Sequence, residues 1–147
     1  MHVGSRLLEL DAIRLGLTAA DRWDAIEQIG AVFHEIGATS AEYAADMRKR
    51  ELSSSTYIGR DIAIPHGTYH THENIKRSAL VVLQFPDGIA WGDQVVKLCI
   101  GIAATGDQQI GLLCSLAGIL MDAERATALA EASDPDVVLA LLQGLRG

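Results

Sequence analysis

Apolar residues recur along the chain with two spacings, one typical of amphipathic helices and one of buried strands. A capping box at residues 18–21 predicts the start of a first helix, and Gly37 predicts its end. The face of this helix is expected to carry Trp23, Ile26, Ile29, Gly30, Phe33 and Ile36. A second capping box at 39–42 predicts a helix that ends in the basic run 48–50, whose charges favour a helix C-terminus.

Continuous apolar runs predict the strands, because a strand covered on both faces has no polar side to show. The strand candidates are residues 12–15, 62–64, 78–85 and 95–104. Pro86, Asp87 and Gly88 predict a turn after the third of them, and 89–92 then predicts a short returning strand.

Three more helices are predicted in the last third of the chain. Asp107 is the expected cap of the first, whose apolar face comprises Ile110, Leu113, Ala117, Leu120 and Met121. The second spans about residues 122–132. The third starts at Asp134 and Pro135, a capping residue followed by proline in the first turn, and its apolar positions are Val138, Leu141, Leu142 and Leu145.

Together these elements predict a single α/β domain over residues 1–147, with helices on both faces of a small sheet. A length of 147 residues and a hydrophobic content of 49% suit one substantial core. No apolar run approaches the roughly 20 residues of a membrane span, so we expect a soluble cytoplasmic protein without membrane insertion. The net charge of −7 argues against nucleic-acid binding. Cys99 and Cys114 lie in apolar segments and are predicted to be buried free thiols.

One polar side chain follows the apolar residues 62–64, in the sequence Pro65-His66-Gly67. Proline favours an extended conformation at the preceding residue, and glycine lets a phosphate group approach closely. A histidine with the ordinary pKa of about 6.5 is mostly neutral near pH 7 and can act as a nucleophile. Considered alone, His66 is better explained as a polar residue in an ordinary turn.

Five short motifs, in this order, point further: Arg50-Glu51, TYIG at 56–59, AIPHGT at 63–68, QFPDG at 84–88 and GIAA at 101–104. With them, and with the helix around 136–139, the chain resembles the IIA domains of the bacterial phosphoenolpyruvate-dependent sugar phosphotransferase system. The resemblance is to the mannitol/fructose type, it is closest to the mannitol-type IIA domain, and it covers nearly the whole chain. It implies a small mixed sheet, mainly parallel.

The resemblance also implies a function. In that family a histidine, here His66, accepts a phosphoryl group from phosphohistidine on the carrier HPr and passes it to a cysteine of a IIB component. Arg50 falls on the family's arginine, which would bind the phosphoryl oxygens. Gln109 stands where the family has a second active-site histidine, which is a departure. No metal or organic cofactor is expected, since this transfer needs an imidazole lone pair, a cation and dipolar donors.

Several alternatives stay open at this stage. The chain is either a phosphocarrier, free-standing or part of a larger protein, or a regulatory binding module that senses phosphorylation state. Thr56 and Thr68 either donate hydroxyl hydrogen bonds to phosphate or only shape turns. An apolar docking patch around His66 is expected to include Ile58, Ile64 and Ile110.

A metal site is a further alternative. If residues 66–73 were helical, His66, His70 and Glu73 would share one face. Because Gly67 and the threonines disfavour a helix there, solvated histidines at 70 and 72 are the preferred interpretation.

Overall fold

Strands and helices alternate along the described part of the chain, which is residues 7–70 and 73–143 of a computed structural model. A single 3₁₀ turn at Leu10–Ala12 precedes the first strand. The strands are β1 (Ile13–Arg14), β2 (Tyr57–Gly59), β3 (Ile62–Ala63), β4 (Ala79–Trp91) and β5 (Gln94–Ala103). The helices are α1 (Arg22–Glu35), α2 (Tyr43–Ser53), α3 (Gly106–Leu120), α4 (Ala123–Glu131) and α5 (Pro135–Leu141).

The five strands form one sheet in the order β1-β4-β5-β3-β2. β1 is parallel to β4 and β3 is parallel to β5, whereas β4–β5 and β2–β3 are antiparallel. The mixed sheet is therefore confirmed, but the expectation that it is mainly parallel was wrong. The longest pairing is the antiparallel β4–β5 hairpin, which closes through Gly92 and Asp93 because Gly92 can adopt a positive φ of 63°.

The turn predicted at Pro86, Asp87 and Gly88 is instead an irregularity inside β4. The pairing register with β5 shifts between Gln84 and Ile89, and Gly88 has a φ of 82°. Proline and a positive-φ glycine are tolerated where the ladder is interrupted, so the strand bends there and continues. The separate strand predicted at 89–92 is the second part of β4, which ends at Trp91.

Helices cover both faces of the sheet, as predicted. Gly101 of β5 faces α1 so closely that a Cβ atom there would lie 2.4 Å from Cγ2 of Ile29. Gln84 lies three positions along β4 from the partner of Gly101 and so points to the opposite face. From there its Nε2 donates to the carbonyl oxygens of Ala130 and Ala132, at 3.1 and 2.7 Å, which ties α4 to the sheet.

Both predicted capping boxes were wrong about where the helices begin. α1 begins at Arg22, and its cap is Asp21, whose Oδ1 accepts from the Asp24 N–H at 2.8 Å. α2 begins at Tyr43, and its N-cap residue Glu42 makes no side-chain capping bond. The hydroxyl of Thr39, the predicted cap, donates to the carbonyl of Ser40 instead. In each case the helix starts about three residues later than predicted.

The predicted face of α3 was also wrong, except at Leu120. Its N-cap is Thr105 rather than Asp107, and its buried positions are Gln109, Leu112, Leu116 and Leu120. Ile110 and Met121 are exposed, and so is Cys114, one turn beyond Ile110, which corrects the prediction of a buried thiol. The helix is rotated by about one residue from the apolar pattern because Gln109 points inward.

The remaining helical predictions agree with the structure more closely. α4 spans Ala123–Glu131, and Asp134 caps α5 by accepting from the Asp136 N–H at 2.9 Å, with Pro135 in the first turn. Leu145, predicted to extend this helix, lies outside the described residues. None of the helices in the described ranges is long and apolar enough to cross a membrane.

Close packing of α1 against α2 gives a test of this arrangement. A Cβ atom at Gly30 would lie 2.5 Å from Cβ of Ala44, so we expect Gly30→Ala to lower the free energy of unfolding by about 1–3 kcal/mol. The matched control is Gly118→Ala in α3, where no heavy atom lies within 4 Å and alanine should stabilise the helix by up to about 1 kcal/mol. Urea unfolding measures both, and a Gly30 variant as stable as the wild type would contradict the packing.

Candidate functional site

The histidine at the end of β3 is held where two strands finish side by side. Beyond Ala63 the chain stays extended, and the carbonyl of Pro65 accepts from the Ile102 N–H at 2.9 Å. His66 forms a parallel bridge with Ile102 of β5. Since β3 and β5 run parallel, their carboxyl ends reach the same edge of the sheet, which is the usual place for a site in an open α/β sheet.

The ring of His66 is held in one tautomer. Its Nδ1 lies 2.7 Å from the carbonyl oxygen of Ile64, and because a carbonyl only accepts hydrogen bonds, Nδ1 carries the proton. The lone pair of the neutral ring is therefore on Nε2. Only 6% of the residue is exposed, so a reaction partner can approach from a narrow range of directions.

Burial lowers the pKa of His66 from its ordinary value of 6.5, and this is the largest influence on it. The hydrogen bond to the Ile64 carbonyl raises the pKa, the positive charge of Arg50 lowers it, and the negative charge of Glu51 raises it. The net effect is a lower pKa, so the ring is neutral and nucleophilic at neutral pH.

We expect the pH titration of His66, followed by NMR, to have its midpoint below 6.5. Because the folded pKa is below the unfolded one, the unfolded chain takes up a proton first as the pH falls. The contribution of His66 to the free energy of unfolding is therefore complete above about pH 6.5 and declines as the pH falls towards the folded pKa. Comparing wild type and His66→Gln in urea unfolding at several pH values isolates this contribution. A midpoint at or above 6.5 would contradict the burial.

Arg50 reaches this site from the last turn of α2. It is partly buried, and its Nη1 donates to the carbonyl of Ser54 at 2.7 Å, which helps to end the helix. One of the five N–H donors of the guanidinium is used in that bond. The positive charge of Arg50 lowers the pKa of His66, as a cation near the ring does.

A buried carboxylate beside Arg50 is the main feature that the sequence interpretation missed. Glu51 accepts from Nε1 of Trp91 at 2.9 Å, from Oγ1 of Thr56 at 2.5 Å and from the Thr56 backbone N–H at 3.2 Å. Nη1 of Arg22 lies 3.6 Å from Oε2 of Glu51. The hydroxyl of Thr56 is thus engaged by Glu51, which supports the structural rather than the phosphate-binding alternative for this residue.

The sequence did contain a signal for Glu51. It follows Tyr43 and Met47 at intervals of four residues, and all three are buried on the same side of α2. An acidic residue at the end of an apolar helical stripe needs buried partners, but no local pattern names Trp91, which is 40 residues away.

Gly67, directly after the histidine, is held from two sides. Nε2 of Gln109, buried in the first turn of α3, donates to the carbonyl of Gly67 at 3.0 Å. The hydroxyl of Tyr43 accepts from the Gly67 N–H at 2.9 Å and donates to the carbonyl of Ile102 at 2.7 Å. Burial raises the pKa of Tyr43, which keeps this hydroxyl protonated. The structure thus ties Gln109 to the residue after His66 and adds Tyr43, which the sequence interpretation did not single out.

The remaining predicted residues are those of the docking patch and those of the possible metal site. Ile58 and Ile110 are 39% and 48% exposed, as a docking patch requires, whereas Ile64 is buried and contributes its carbonyl instead. His70 is exposed in a turn, with its ring edge-on to Tyr69, and none of the described residues between 66 and 73 is helical. Among the residues that the structure describes, no three histidine, cysteine, aspartate or glutamate side chains are grouped as a metal site. His72 lies outside the described residues.

Sequence comparison assigns the chain that carries this site to a protein family. Residues 6–144 match the family described as phosphoenolpyruvate-dependent sugar phosphotransferase system, EIIA 2. The chain belongs to that family, so the resemblance noted in the sequence is confirmed.

Individual relatives agree with this assignment. The chain is 39% identical over 138 residues to a multiphosphoryl transfer protein of Escherichia coli O157:H7, an alignment that covers 93% of this chain and 37% of that protein. It therefore spans less than two fifths of that relative's length.

Solved structures confirm the fold. The crystal structure of IIA mannitol from Escherichia coli is similar with a TM-score of 0.84 at 33% identity, covering 90% of this chain and 96% of that one. An NMR structure of a complex of Escherichia coli enzyme IIA mannitol and phosphorylated enzyme IIB mannitol matches with a TM-score of 0.86 at 34% identity, covering 94% and 99%.

Proposed function

We propose that this chain is a IIA phosphocarrier of a mannitol-type sugar phosphotransferase system and acts in the cytoplasm. His66 accepts a phosphoryl group from phosphohistidine on HPr and passes it to a cysteine of a IIB component. The observation that carries the proposal is the fixed tautomer of His66, whose Nδ1 is bound to the Ile64 carbonyl at 2.7 Å. A similar solved structure contains a IIA component together with phosphorylated IIB, which supports a IIB component as the partner in transfer.

In the first step the Nε2 lone pair of His66 attacks phosphorus in line with the donor nitrogen. The Nε2–P bond forms as the N–P bond of the donor breaks, and the proton stays on Nδ1, where it is hydrogen-bonded to the Ile64 carbonyl. In the second step a IIB thiolate attacks the same phosphorus, so that an S–P bond forms and the Nε2 lone pair is restored. Neither step requires His66 to lose or gain a proton.

Arg50 and Gln109 have different roles in this scheme. The guanidinium of Arg50 can form charge-assisted hydrogen bonds to the equatorial phosphoryl oxygens, where negative charge is spread in the transition state. Gln109 fixes the backbone after His66 through its bond to the Gly67 carbonyl. Because an amide cannot carry the positive charge of an imidazolium, the phosphorylated state is stabilised less than with a histidine at this position.

The direct test is to incubate the purified protein with radiolabelled phospho-HPr and then with a mannitol-type IIB protein. We expect acid-labile label to appear on the chain and then on IIB. Absence of label on the chain would reject the phosphocarrier. Label that stays on the chain in the presence of a competent IIB would reject the relay and favour the regulatory module.

Restoring a histidine gives a further prediction. We expect Gln109→His to raise the labelling rate or the lifetime of the phosphohistidine by roughly two- to tenfold, since a charge-assisted hydrogen bond is about twice as strong as a neutral one. The matched control is Gln108→His, one residue earlier and exposed, where the side chain accepts from the hydroxyl of Ser78. Equal effects of the two variants would show that the position of residue 109 does not matter.

A further inference from the structure

A continuous set of hydrogen bonds connects the buried carboxylate of Glu51 with the ring of His66. Glu51 accepts from the N–H and the hydroxyl of Thr56, at 3.2 and 2.5 Å. The carbonyl of Thr56 accepts from the Ile64 N–H at 3.0 Å. The carbonyl of Ile64 then accepts from Nδ1 of His66 at 2.7 Å. Each link fixes the next segment of backbone, so the position of the ring depends on an acidic residue in another element.

We propose that Glu51 is a positioning residue for phosphoryl transfer, which anchors the extended segment that orients His66 and supplies the negative charge that stabilises its ring during attack. The inference rests on the proposed function of His66 and adds the carboxylate that prepares it. Glu51 is 3% exposed and touches neither the ring nor any phosphoryl oxygen on this account, so its effect passes through Thr56, Ile64 and the electric field.

The chemistry of the step explains why a negative charge is needed. While the Nε2–P bond forms and the donor N–P bond breaks, His66 keeps its Nδ1 proton, so its ring gains positive charge and the donor ring loses it. The Ile64 carbonyl dipole and the charge of Glu51 both favour the charged ring. A charge held away from solvent acts more strongly than one on the surface, because it is less screened.

The charges around this pair are of both signs. Besides each other, the titratable side chains that interact with His66 or Glu51 in the described part of the chain are Arg50 in α2, Arg22 in α1 and the buried thiol of Cys99 in β5. Burial raises the pKa of Cys99, so that thiol is neutral. Arg50 disfavours a positively charged His66 ring, whereas Glu51 favours it. Glu51 therefore offsets part of the effect that the arginine has on the ring.

The test compares three variants by ¹⁵N NMR of the His66 ring and by the labelling rate with phospho-HPr. Glu51→Gln keeps the shape and removes the charge, so we expect His66 to titrate at lower pH than in wild type and labelling to slow by roughly tenfold. Trp91→Phe removes a donor to Glu51 but leaves the charge, so His66 should titrate as in wild type. Glu42→Gln removes an exposed charge from the segment before the same helix and should change neither quantity.

A folded Glu51→Gln variant in which His66 titrates as in wild type would overturn the inference, even if labelling falls. If that variant does not fold, ¹³C NMR of the Glu51 carboxyl in the wild type decides. Its resonance should shift at the pH where His66 titrates, and a resonance that does not respond would overturn the inference. If the wild type takes no label while the titration responds as expected, the phosphocarrier proposal fails and the coupling of Glu51 to His66 stands.

Discussion

Replacing His66 with alanine is expected to abolish labelling by phospho-HPr, a loss of at least about 1,000-fold, because the variant has no nucleophile to form the N–P bond. The side chain is buried and donates to the Ile64 carbonyl, so its removal should lower the free energy of unfolding by about 1–3 kcal/mol. The loss of labelling can therefore be separated from a loss of fold. Acid-labile radioactivity on the purified chain is the measurement.

The chain offers a matched control for that experiment. His70 is four residues further on and exposed, so His70→Ala should be labelled at the wild-type rate. Acid-labile label on His66→Ala, at any rate close to that of the wild type, would mean that another side chain is the acceptor.

The second large effect is expected at Arg50. Arg50→Met should slow labelling by about 100- to 1,000-fold, the range seen when one preorganised donor to a transition-state oxygen is removed. Arg50→Lys should recover only part of this rate, because an ammonium group lacks the planar fork of donors that matches phosphoryl oxygens. Single-turnover labelling with excess phospho-HPr measures the chemical step.

Lys49→Met is the control for Arg50, since it removes a cation from the adjacent exposed position of α2 and should leave the rate nearly unchanged. Arg50 also donates to the Ser54 carbonyl at the end of the helix, so the unfolding of Arg50→Met must be measured beside its rate. An equal loss of rate in Lys49→Met would show that general positive charge, rather than the guanidinium at this position, assists transfer.

Local chemistry explains which parts of the fold were predictable. Gly37, with a φ of 77°, ends α1 as expected, because the residue after a helix often requires a left-handed conformation. Asp134 and Pro135 begin α5 as expected, because their roles depend only on the first turn. His66 could be placed at a strand end since a strand, a proline and a glycine in sequence define that end without distant contacts, whereas its role came from the family resemblance.

Distant contacts decided the parts that were wrong. Pro86 and Gly88 have turn chemistry, yet the long pairing of β4 with β5 continues past them as a bulge. Gln109 interrupts an apolar pattern, and its bond to the Gly67 carbonyl, 42 residues away, rotates α3 inward at that position. The role of Glu51 depends on Trp91 in β4, which no window on α2 includes.

The rotation of α3 also has a practical outcome, since it leaves the two thiols of the chain in opposite environments. Cys99 is fully buried with a raised pKa, so a maleimide at neutral pH meets no accessible thiolate there. Cys114 is exposed on α3, one turn from Ile110. The native sequence thus provides one attachment point for a fluorescent or spin probe near the expected docking patch, without the removal of any cysteine.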